Sequence, residues 1–113
     1  MKKLLLLSLF FSGGAWAGCE NPKTSHEIQQ CLSTQITLLK KELNTAYGKL
    51  YKQTQAKKEL DSAQKAWLKY KDLQCGDFII ADAGYGSGQA TYDLACQAEL
   101  IEQRTSFIKN QLN

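Results

Sequence analysis

From Ile28 onward, apolar residues recur at Leu32, Ile36, Leu39, Leu43, Ala46 and Leu50, separated by three or four positions. That period puts them on one stripe of a long helix. Just ahead, Thr24-Ser25-His26-Glu27 has the T-x-x-E form of a capping box, which marks the start. The pattern lapses over Lys52-Gln53-Thr54-Gln55-Ala56, where a turn is expected. A second stripe follows through Leu60, Ala63, Trp67, Tyr70, Cys75, Phe78 and Ile79. A third runs through Cys96, Leu100, Arg104 and Phe107, flanked by Ile101, Ile108 and Leu112. Pro22, the only proline, lies outside all three. The fold expected is all-α: a small antiparallel three-helix bundle with two disulfides.

Gly84-Tyr85-Gly86-Ser87-Gly88 separates the second and third stripes. A phosphate-binding loop would need a strand before it and a helix N-terminus after it. Here a helix-period segment precedes it, and no Walker lysine or Rossmann spacing follows. If Cys75 pairs with Cys96 across two antiparallel helices, facing positions sum to 171 and the midpoint falls inside this glycine stretch. The same rule sets Trp67 opposite Arg104, Ala63 opposite Ile108 and Leu60 near Leu112. The glycines then read as a hairpin tip that uses their freedom at positive φ. Cys19 would pair locally with Cys31, although the sequence alone leaves the other two connectivities open.

The chain has 113 residues, enough for one domain. It opens MKKLLLLSLFFSGGAWA, with a basic start, a short apolar run and an A-x-A end. This is the form of a secretory signal peptide, expected to span residues 1–17 with cleavage after Ala17, leaving a domain over 18–113. The apolar run is too short for a membrane span. Four cysteines, Cys19, Cys31, Cys75 and Cys96, suit two disulfides in a periplasmic or secreted protein. Trp16-Ala17-Gly18-Cys19 also approaches a bacterial lipoprotein site, with Trp16 where leucine is usual. A lipid anchor at Cys19 is therefore the second reading of that boundary. Zinc finds no support, because there is no C-x-x-C and His26 is the only histidine.

Net charge is +3, but its distribution is uneven. Residues 40–71 carry nine lysines against Glu42, Glu59 and Asp61, a net of +6. Residues 72–103 hold Asp72, Asp77, Asp82, Asp93, Glu99 and Glu102 with no Lys, Arg or His, a net of −6. In the hairpin, these acids surround the tip together with Tyr85 and Tyr92. Acids steer a basic partner, and tyrosines supply contact area after arrival. Asp77, Asp82, Tyr85, Ser87, Tyr92 and Asp93 are the expected partner-binding residues. An exported chain whose lysines alternate with acids argues against nucleic acid. No catalytic constellation, metal site or cofactor motif is visible, so a binding protein rather than an enzyme is expected. Arg104, the sole arginine, reads with Trp67, Tyr70 and Asp72 as a structural clamp between helices, because a guanidinium stacks and forks where an ammonium does not.

Several of these residues fall in recognisable segments. Leu43-Asn44…Tyr47…Leu50 resembles L-N-x-x-Y-x-x-L. Ala63-Gln64-Lys65-Ala66-Trp67-Leu68-Lys69-Tyr70-Lys71-Asp72-Leu73-Gln74-Cys75 resembles A-Q-R-A-W-x-x-Y-R-D-x-x-C. Cys96…Leu100-Ile101…Arg104-Thr105 resembles C-x-x-x-L-T-x-x-R-T. Together they make the chain similar to the LprI-like family of small exported bacterial proteins, with Lys65, Lys71 and Ile101 as departures. The resemblance implies binding and inhibition of lysozyme or a related cell-wall hydrolase, a strongly basic partner in the animal-type case. An immunity protein against a periplasmic toxin and a structural cell-envelope module are the alternatives.

Overall fold

A computed structural model describes Cys19 and residues 24–84 and 87–113, with only the backbone of Ser87 included. The expected signal peptide and Tyr85 lie outside the described residues. Helix α1 spans Ser25–Gln53. It starts at the capping box: the Glu27 backbone N–H donates to the Thr24 hydroxyl at 3.1 Å, and the Thr24 N–H donates to the Glu27 carboxylate at 3.4 Å. These bonds satisfy donors that the first turn leaves open. The 29 residues of α1 extend roughly 44 Å at 1.5 Å each, which accounts for the molecule's 46 Å long dimension.

After the turn at Thr54–Ala56, helix α2 covers Lys57–Lys71, and a π-helical stretch continues it over Asp72–Ile79. A short helix, α3, follows over Ile80–Ala83. These three pieces form one continuous arm. Gly84 closes it with φ +80°, a left-handed conformation that favours glycine. Helix α4 then runs over Ser87–Gln111. Gly88, expected in the hairpin tip, already lies within this helix. The Gln89 side chain ties the turn together by donating to the carbonyls of Ile80 and Gly84.

The core sits between α1 and α4. Ile36, Leu43 and Ala46 meet Ala98, Ile101 and Ile108 in one cluster; Cys19, Leu32 and Ala95 form a second. Buried Thr105 keeps its hydroxyl satisfied by donating to the Ile101 carbonyl at 2.8 Å. The arm adds little to this core: its buried residues are Lys71 and Cys75, with Trp67 packed against the edge. The wider turn of the π stretch also changes which side faces inward. Phe78, three residues after buried Cys75, is about half exposed (53%), and Tyr70, in the regular helix ahead of the stretch, is also about half exposed (50%). The inward row is instead Trp67, Lys71, Cys75 and Ile79, a spacing of four throughout.

Both disulfides are as expected, Cys19–Cys31 and Cys75–Cys96. The Cys19 sulfur is thus bonded and the residue buried, so the lipid anchor weighed at that position is overturned: a thioether would need the same sulfur. Among the described residues no helix is long and apolar enough to cross a membrane.

Candidate functional site

The acidic segment gathers at one end of the bundle. Cys75–Cys96 fastens the arm to α4 there, and the start of α1 joins them, with Gln29 donating to the Thr91 hydroxyl at 3.3 Å. The opposite end holds the Thr54 turn, where the Gln53 side chain bonds the Gln111 carbonyl and the Asn113 N–H. Lysines 40–58 occupy that half of α1 and the start of α2. Lysines therefore concentrate toward that end, while Lys69 and Lys71 flank Tyr70 on the arm.

Between the arm and α4 at the acidic end lies an open groove of about 700 Å³. From the arm it is lined by Tyr70, Gln74, Ile79, Asp82 and Ala83; from α4 it is lined by Tyr92, Ala95, Cys96, Glu99 and Leu100. Its charged lining consists of two carboxylates, Asp82 and Glu99, and its rim carries two tyrosines. Exposed Leu73, Phe78 and Ile80 extend the apolar surface on the same arm. Tyr92, Cys96 and Glu99 share one face of α4 because they follow one another at helical spacing.

The expected binding residues divide on this geometry. Asp82 and Tyr92 meet in the groove. Asp77 is exposed on the π stretch outside its lining. Asp93 is half-buried, and both its oxygens accept from the Gln97 side chain at 3.3 Å, which holds it along α4. Tyr85 and the side chain of Ser87 lie outside the described residues. Glu99 was not singled out from the sequence, although its place three residues after Cys96 signalled a shared face with Tyr92. Near it, Glu102 has its pKa raised, first by burial and then by the charges of Glu42 and Glu99.

The clamp residues also divide. The Arg104 guanidinium lies 6.0 Å from the Trp67 ring centre and 5.8 Å from that of Phe107. Its Nε donates to the Gln64 side-chain oxygen at 2.9 Å. Burial lowers its pKa, with Tyr47 opposing the shift. Tyr70 and Asp72 do not join it: Tyr70 lines the acidic groove, and Asp72 accepts from Lys71 at 3.2 Å. Gln64 takes the position expected for them, a partner forty residues away that no local pattern announces. Among the described residues no three His, Cys, Asp or Glu side chains come together as metal ligands.

A family model described as lysozyme inhibitor LprI matches residues 18–107, most of the chain. The chain belongs to the LprI family. Comparison with curated proteins and with solved structures returned no match. The LprI match includes all four cysteines, both sides of the acidic groove and the Trp67–Arg104 contact. Membership points to a lysozyme-inhibitor type of binding protein.

Proposed function

We propose that this protein is an exported inhibitor of a basic cell-wall hydrolase of the lysozyme type, and that it caps its target with the acidic end. On this reading residues 1–17 direct export and are removed after Ala17, and the two disulfides form in the oxidising periplasm or outside the cell. The observation that carries the proposal is the groove joining Asp82 and Glu99 to Tyr70 and Tyr92, in a segment of residues 72–103 that contains no cation. Its carboxylates offer acceptors to lysine and arginine side chains, and the tyrosines bury area at small entropic cost. Asp77 and Asp93 add to the field that draws a basic partner in. Exposed Phe78 and Ile80 would be covered on docking. Family membership supports the target class and a non-catalytic role.

A turbidity assay of bacterial-wall lysis tests this directly. The wild-type chain should inhibit a basic lysozyme, and inhibition should weaken with salt because exposed charges are screened over about 8–10 Å. Asp82→Asn with Glu99→Gln should weaken inhibition at least about tenfold at low salt. Full inhibition by that double variant would remove the groove from the interface, and no inhibition of any lysozyme by the wild type would remove the function.

A further inference from the structure

We propose that a second cleft, between α1 and α2, binds a carboxylate-bearing sugar, in a role separate from the acidic groove. Two segments prominent in the sequence face each other here. Asn44 and Tyr47 of α1 stand across from Gln64, Trp67 and Lys71 of α2, around a space of about 290 Å³. That volume falls just below the usual range for small-ligand sites, about 300–1,000 Å³, and suits a single sugar ring.

The charged residues lining it, Lys40 and Lys71, are both cations. Lys71 is only 8% exposed. Its ammonium donates to Asp72 at 3.2 Å, using one of three N–H donors, and that carboxylate is itself 76% exposed. The aliphatic stem of Lys71 is packed while its ammonium, held beside a solvent-exposed carboxylate, has no second hydrogen bond among the described residues and keeps N–H donors open to a ligand. Gln64 adds to the surplus of donors. Arg104 occupies its oxygen at 2.9 Å, which fixes the amide, and among the described residues its NH₂ group donates to none. The Tyr47 hydroxyl donates to Asp61 at 3.4 Å, so its oxygen remains able to accept. Trp67 contributes a flat apolar wall, which Arg104 supports from 6.0 Å.

One class of ligand answers each feature. A carboxylate satisfies Lys71 and the field of Lys40. Ring hydroxyls or an acetamido group pair with Asn44, Gln64 and Tyr47, and the C–H face of a sugar lies against the indole. Sugar acids of the cell wall and of other polysaccharides share this chemistry.

With residues 1–17 removed, Trp67 is the one tryptophan left of the two in the sequence, Trp16 and Trp67, and so the sole indole reporter. Its fluorescence should change saturably with millimolar N-acetylmuramic acid or glucuronic acid. Response to the first alone assigns the site to cell-wall sugars, to the second alone to other polysaccharides, and to both to the shared acid group. N-acetylglucosamine, which lacks the carboxylate, should bind at least about tenfold more weakly. Lys71→Gln should weaken acid binding by a similar factor, Lys71→Arg should retain most of it, and Lys40→Gln at the rim should weaken it less. If Lys71→Gln does not fold, Lys40→Gln and the salt dependence decide. The proposal fails if neither acid gives a saturable change, if the uncharged sugar binds equally well, or if both salt and the lysine substitutions leave affinity unchanged. The titration contains no hydrolase, so its outcome is independent of the lysis assay.

Discussion

Two halves of this small bundle are held together by different means. Helices α1 and α4 meet along two clusters of buried apolar side chains. The arm from Lys57 to Ala83 brings only Lys71 and Cys75 to the interior. One sulfur–sulfur bond, the Arg104–Gln64 hydrogen bond and the Gln89 side chain fasten it. A domain this size has limited apolar surface to bury. Here that surface is concentrated in one helix pair, and a covalent tie substitutes for packing in the arm. Both candidate binding regions, the acidic groove and the lysine-lined cleft, take one wall from the arm. Binding surfaces belong on the less stable part of a fold, where groups are free of packing duties.

The comparison can be broken most strongly from the packed side. Ile101 is 1% exposed between α1 and α4, and Ile101→Ala should cost about 2–5 kcal/mol in global unfolding by denaturant. Leu68→Ala, on the exposed face of α2, should cost well under about 1 kcal/mol. Equal losses would mean that the arm is as well packed as the helix pair.

The smallest expected effect comes from Glu102, whose raised pKa reflects burial beside Glu42 and Glu99. Because its folded pKa lies above the unfolded value, its contribution favours the fold at low pH and is lost as pH rises through the folded pKa. Glu102→Gln should therefore raise the neutral-pH melting temperature slightly. The difference should vanish below pH about 4, the ordinary glutamate range. Lys109, paired with Glu42, should limit the gain. A lower melting temperature for the variant at neutral pH would contradict the assignment.

Much of this architecture was legible in the residues. Thr24 and Glu27 announced the start of α1, and the apolar spacing carried it to the Thr54 turn. Symmetry about the glycines placed Cys75 on Cys96 and Trp67 by Arg104. The π stretch was not legible, because a 3.6-residue period assumes uniform turns and so placed Phe78 on the inward stripe beside Cys75. For the site, charge alone marked the acidic end, but it could not say which acids share a groove. That depends on helix faces: Asp82 and Glu99 converge, while Asp93 turns toward Gln97.

Hydrogen exchange on the Cys75→Ala/Cys96→Ala variant tests the difference between the two halves most directly. Loss of the tie should remove about 3 kcal/mol of constraint on the enclosed loop. Amides of residues 57–83 should then exchange much faster, while those around Leu43 and Ile101 keep most of their protection. A uniform loss across both regions would contradict the account, and so would an arm whose protection is unchanged.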